Sequence, residues 1–284
     1  MKRPVTSYIL YLLFCFYFTS CEDVIDVDVP FEGPRLIIDA LIRIDDSSST
    51  TIIRVKALES SSFFEEPTPA QLTQITVVNL DQASNEVLLE TEPGSGIYER
   101  LVATEFLTSG ELLLQIEHEG QQYLARTRYV ETNPFNSVEQ GDRILFDDED
   151  TEVVVSFTDI PNADNFYLFD FDFAEFLTTE DTFYQGQDFS LSYFYDENLT
   201  PGQEVTISIL GIDEPFYNYM NQLLEQTSEG FGPFDTPSAT VRGNLINVTD
   251  IDNMDFFDNV DQPNNFALGY FAVCQTFSQT LIIE

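Results

Sequence analysis

Tryptophan is missing from this chain of 284 residues, histidine occurs once, cysteine three times, and lysine and arginine together only 11 times. Each scarcity closes off some chemistry. Nucleic acids and anionic lipid surfaces are bound through clusters of lysine and arginine, and a chain with 50 acidic residues and a formal net charge of −39 repels both. No nucleic-acid partner is expected. A lone histidine, His118 in QIEHEGQQ, cannot make a multi-histidine zinc site; flanked by Glu117 and Glu119, it is expected to be a solvated hairpin residue, and no metal site is expected. There is no G-x-S-x-G elbow for a serine nucleophile, and neither G-x-x-x-x-G-K-[ST] nor G-x-G-x-x-G to cradle a phosphate. The chain is therefore expected to carry no cofactor and to be no enzyme.

Carboxylates are the one abundant reactive group, so an acid-rich hydrolase is the enzymatic alternative. Paired acids such as Asp170 with Asp172, or Asp250 with Asp252, have the oxygens calcium needs. Neither pair sits in the glycine-punctuated loop of an EF-hand, and solvated acidic faces are the expectation. Acidity does not imply disorder here, because 43% of the residues are hydrophobic and 14% aromatic, with 26 Phe and 13 Tyr. That is enough apolar surface to build cores.

The three cysteines divide cleanly. An apolar run from Tyr8 to Phe18 contains Cys15, follows Lys2 and Arg3, and is followed by Thr19, Ser20 and Cys21. At 11 residues it falls well short of the roughly 20 that span a bilayer as a helix, and it reads as a cleaved leader. A cysteine directly after small residues is the pattern of a bacterial lipoprotein signal, although Phe18 stands where leucine is usual. Residues 1–20 are then the signal peptide and Cys21 the lipidation site, with acyl chains (palmitate among them) holding the mature chain on a membrane at about 0.8 kcal/mol per buried methylene. The leader takes two basic residues with it, so the mature formal charge becomes −41. Cys274, in LGYFAVCQTF, is left as the free thiol; it is expected to be a buried small hydrophobe with no disulfide partner.

Residues 21–34 alternate acids with Val or Ile and then meet Pro30, Gly33 and Pro34, which reads as a lipidated tether. From Arg35 the chain becomes short β-branched runs bounded by turn residues: RLIIDALIRI, STTIIRVKAL, TQITVVNLD, NEVLLETEP, GELLLQIEHEG and QQYLARTRYV. Runs of this length and spacing predict an all-β domain over 35–130, a sandwich of the prealbumin or carboxypeptidase-regulatory type, closed by a hairpin over Glu119-Gly120. Residues 131–151, with Pro134, Gly141 and the acidic run from Asp147 to Asp150, are expected to be a linker. A second β-rich, sandwich-like domain is expected over 152–284. In its NFYLFDFDFAEF, period 2 places Tyr167, Phe169, Phe171 and Phe173 on one strand face and Asp170 and Asp172 on the other. One helix is predicted over 214–229, capped by Asp213, with Pro215 in its first turn, Phe216, Tyr219 or Met220, and Leu223 toward a sheet, and Gly230 ending it. NNFALGYFAVCQTFSQTLII reads as a hairpin-like C-terminal pair. The fold class is thus all-β with one helix.

The order of these motifs resembles the domain-of-unknown-function 4249 family of Bacteroidota outer-membrane lipoproteins. The features that carry the resemblance are Cys21-Glu22-Asp23 leading to DVDVP and RLIIDALI, the Gly-Ile-Tyr turn at 96–98, VVVSFTD with NFYLF, the helix FYNYMNQLLEQ, and then TVRGNLIN and ALGYFAV. They are packing and turn patterns, and the resemblance implies no catalytic residue. It implies a lipid-anchored accessory subunit of a TonB-dependent outer-membrane transporter. Glu22 and Asp23 also resemble the acidic export signals of surface lipoproteins, which implies the cell-surface leaflet. A free-standing surface module that binds glycan or peptide is the alternative. The candidate contact residues are the aromatics Phe183, Tyr184, Phe189, Tyr193, Phe194 and Tyr195, with Phe231 and Phe234 in a later loop; a second sheet core would need the same rings.

Overall fold

The computed structural model describes residues 33–61, 65–143, 151–195, 199–227, 240–249, 251 and 266–284. Cys21 and the tether as far as residue 32, the acidic run 147–150, Phe231, Phe234, Asp250 and Asp252 lie outside them.

Strict alternation builds the first sheet. In β1 (Leu36–Ile44), Leu36, Ile38, Ala40, Ile42 and Ile44 are buried while Asp39 and Arg43 are exposed. It pairs antiparallel with β2 (Thr50–Glu59), which pairs in turn with β3 (Thr68–Pro69) and, across most of its length, with β7 (Ile97–Ala103). The facing sheet is β5 (Ser84–Val87), β4 (Gln74–Asn79), β8 (Glu111–His118) and β9 (Gln121–Val130). A first core fills the space between them, with Ile38, Ile42, Ile53, Ile75, Leu112 and Leu114 fully buried. The expected run NEVLLETEP is two strands, β5 and β6 (Leu89–Glu90), because Leu88 between them turns into this core, its N–H donating to Ile75 O at 3.0 Å. A single-turn helix, α1 (Thr104–Thr108), adds Phe106 and Leu107 to the core. The sequence reading did not foresee it, since one turn is too short to show a period.

The second core lies between a three-stranded sheet, β10 (Phe135–Gln140), β11 (Thr151–Thr158) and β14 (Asp188–Tyr195), and a sheet of β13 (Phe176–Glu180), β12 (Phe166–Asp170) and β15 (Glu204–Ile212). Here the sequence reading needs a correction. NFYLFDFDFAEF is not one strand: Asp172, Phe173 and Ala174 all have positive φ and turn the chain from β12 into β13. Tyr167, Phe169 and Phe171 keep the shared buried face, but Phe173 is exposed on the turn. Asp172 leaves the face of Asp170 and accepts a hydrogen bond from Thr206 N at 3.1 Å.

The C-terminal segment is corrected as well. Instead of a hairpin it is one 15-residue strand, β17 (Leu268–Ile282). Its first half runs parallel to β1, from Ile37 opposite Leu268 to Ile44 opposite Gln275. Its second half runs antiparallel to β15. One strand thus contributes Phe271 and Val273 to the first core and Phe277 and Leu281 to the second. Residues 34–284 form one compact unit.

The main helix, α2 (Glu214–Thr227), begins where Asp213 was expected to cap it, the carboxylate accepting from Phe216 N at 2.9 Å. Residues 228 and 229 lie outside the described residues. Its Phe216 and Met220 pack on Leu168, Leu210, Ile212, Tyr270, Ala272 and Cys274, a third core on the back of β12, β15 and β17.

Candidate functional site

An apolar groove of about 420 Å³ opens between α2 and the outward face of β1. Its floor is Ile37, Asp39, Leu41 and Arg43, the side chains that alternation turns away from the first core. Phe216, Tyr219, Met220 and Leu223 of α2 form one wall, and Leu168, Phe176 and Tyr270 line the remainder. Tyr270 lies against Phe216 and Tyr219, with ring centroids at 4.6 and 5.0 Å. Arg43 bonds Asp170 at 2.5 Å, which places an ion pair on the groove and gives Asp170 a structural partner. Burial, helped by the Asp39 carboxylate, pushes the Tyr219 phenol above its ordinary pKa, so it stays a neutral hydrogen-bonding group. Apolar walls with a few convergent polar groups are the usual form of a small-ligand or side-chain pocket. The sequence reading missed this site, although β1 carried a signal: Ile37 and Leu41 on its outer face are apolar enough to need a cover.

The aromatic segment is divided by the fold. Tyr184, Phe189, Tyr193 and Tyr195 turn inward against the second core. Tyr193 stacks on Phe171 at 4.0 Å and Tyr184 on Phe189 at 4.0 Å, while Tyr195 donates to Phe171 O at 2.7 Å. Burial pushes the Tyr184 phenol up to about 12. Phe194 points from the opposite face of β14 and is half-buried, and Phe183, on the turn before the strand, is 92% exposed. Among the described residues the segment therefore offers Phe183 and the outer face of β14 for contact, and commits its other rings to the second core.

His118 is the clearest departure from expectation. It is not solvated but 6% exposed. Its Nδ1 lies 3.1 Å from Gln71 O and its Nε2 lies 3.1 Å from Glu59 Oε1, and the side chains of Glu59, His118 and Glu119 bring one ligand atom each within 4.8 Å of one another. The signal was present in the alternation: Leu112, Leu114, Ile116 and His118 share one face of β8, the core face. Cys274 is buried at 1% exposure as expected, and burial, followed by the Asp213 carboxylate, pushes its thiol well above the ordinary range.

A family profile described as "Domain of unknown function (DUF4249)" matches residues 22–280. No curated protein matches the chain. Among solved structures it is similar, at 10% identity, to a DUF4785 family protein from Legionella pneumophila, over 64% of this chain and 54% of that one with a TM-score of 0.23. The chicken interferon gamma receptor alpha chain is also similar at 10% identity, over 63% of this chain and 89% of that one with a TM-score of 0.17. Likeness at this level carries nothing about function.

Proposed function

Because the chain belongs to the DUF4249 family, matched over residues 22–280, we propose that it is a lipid-anchored, non-enzymatic accessory subunit of a TonB-dependent outer-membrane transport complex. Its work there is substrate capture or complex assembly. The groove between α2 and β1 is the observation that carries this reading. An open apolar cleft ringed by Asp39, Arg43, Tyr219 and Tyr270 suits a short apolar segment of a partner or the apolar face of a substrate. The leader ahead of Cys21 supports a membrane anchor, and anchoring two proteins in one membrane raises their effective concentration, so a modest contact surface suffices to keep them together.

The same groove favours a second reading, a free-standing surface module for peptide or glycan. One experiment separates the two: the chain is isolated from membranes in mild detergent and its companions are identified by mass spectrometry. An accessory subunit brings a large barrel protein with it, whereas a free-standing module comes alone. Protease added to intact cells reports the leaflet, since a surface-facing chain is cut and a periplasmic one is protected.

A further inference from the structure

Three elements meet at one end of the first core. Glu59 ends β2, His118 ends β8, and Glu119 is the first residue of the turn into β9. Glu59 belongs to one sheet of the core, whereas His118 and the turn that carries Glu119 belong to a hairpin of the facing sheet.

A backbone carbonyl only accepts, so the 3.1 Å contact with Gln71 O places a proton on Nδ1 of His118. That contact leaves Nε2 as the nitrogen directed at Glu59. An imidazole with one N–H held by a carbonyl while the other nitrogen faces acidic oxygens has the arrangement of a metal-bound histidine, in which the acceptor on the far side of the ring fixes both tautomer and ring plane. Two ligands about 2.0–2.1 Å from a tetrahedral zinc lie about 3.3 Å apart. The separation of 3.1 Å between Nε2 and Glu59 Oε1 is close to this. Glu119 reaches the same place from a left-handed conformation, φ +50°, where hairpin turns normally carry Asn, Asp or Gly. Two carboxylates beside a buried ring make a site that a dication neutralises, and the arginine–carboxylate pairs of the described residues use other acids.

We propose that Glu59, His118 and Glu119 bind a divalent transition-metal ion, with Zn²⁺ as the best chemical match, and that the ion ties the end of β2 to the β8–β9 turn. One histidine nitrogen and two carboxylate oxygens leave a fourth position for water. A lone histidine argued against zinc along the chain; Glu119 adjoins it in sequence, but Glu59 comes from a strand 59 positions away, which no local spacing displays.

The chain has one histidine, so its imidazole can be observed without assignment. The full chain, solubilised from membranes, labelled with ¹⁵N-histidine and carrying a tag free of histidine, is titrated with Zn²⁺ while the imidazole nitrogens are followed by NMR. The Nε2 resonance is expected to shift, with Nδ1 remaining protonated, and the thermal midpoint is expected to rise and to return with EDTA. Glu119→Gln, a change on an exposed turn, should weaken Zn²⁺ at least about tenfold with the apo fold unchanged. His118→Gln should remove the effect, and if that variant does not fold, Glu119→Gln alone carries the test. Imidazole resonances unmoved by zinc, or a Glu119→Gln variant that binds as the wild type does, would overturn the site and leave only adventitious binding to an acidic surface.

Discussion

Thr132 and Gln275, 143 positions apart, are joined by one hydrogen bond: the Thr132 N–H donates to Gln275 Oε1 at 2.8 Å. The other end of the same amide donates to Asp46 Oδ2 at 2.7 Å. Gln275 therefore ties β17, where it passes from the first core to the second, to the exit of β9 and to the turn after β1. Gln275→Leu keeps much of the volume but leaves a buried N–H unpartnered, a loss of about 1–3 kcal/mol. Urea unfolding should show a lower midpoint at an unchanged m-value. An unchanged midpoint would mean that water replaces the amide at no cost.

Gly269 is set by its neighbour in β1. Its φ is +95°, and a Cβ there would sit 1.8 Å from Ile38 O. Backbone cannot give way as a flexible side chain can, so Gly269→Ala should cost about 3 kcal/mol or more, or prevent folding. Gly94, also left-handed but with open space around it, is the control: Gly94→Ala should cost only the conformational strain, about 1–2 kcal/mol. Equal losses in the two variants, measured by thermal unfolding, would refute the close-approach account.

Asp181 predicts a pH dependence. It is 4% exposed, and its Oδ2 has no hydrogen-bond partner among the described residues. Burial, with the carboxylates of Asp159 and Asp164 adding to it, raises its pKa above 3.8. Between the unfolded and folded pKa values the native state holds a proton that the unfolded chain has lost, so stability falls as pH rises through that interval and stays reduced above it. Asp181→Asn should therefore stabilise the protein near neutral pH, by about 1 kcal/mol, and should give nothing below the unfolded pKa. Melting curves at pH 7 and pH 3 check both halves.

Cys274 is expected to be inert. Burial disfavours its thiolate, the reactive form, so a thiol reagent should label it roughly a hundredfold or more slowly in native buffer than in urea. Rapid native labelling would show that β17 opens readily at this point.

For the groove, Leu223→Glu adds a charge at an exposed position on its wall. Stability should change by no more than about 0.5 kcal/mol, while recovery of the membrane partner falls. Unchanged recovery, together with a loss in Phe183→Ala, would move the contact surface to the turn before β14.

Much of this molecule was legible along the chain. The alternation of Leu36, Ile38, Ala40, Ile42 and Ile44, the Glu119-Gly120 turn, and Asp213 ahead of Phe216 are local signals; each is written within a few residues, and each produced the expected strand, hairpin or capped helix. Local pattern also placed Cys274 inside. What it could not display was which strand pairs with which. LGYFAV is apolar on both faces, and this announces burial but carries no register, so its parallel seat beside β1, more than two hundred residues earlier, was decided only when the sheets closed. That one pairing lets β17 serve two cores and sets Tyr270 against α2, forming the groove. The same kind of non-local closure brings Glu59 to His118. Side-chain alternation is a property of a strand by itself, whereas a site made of several strands exists only after they have found their partners.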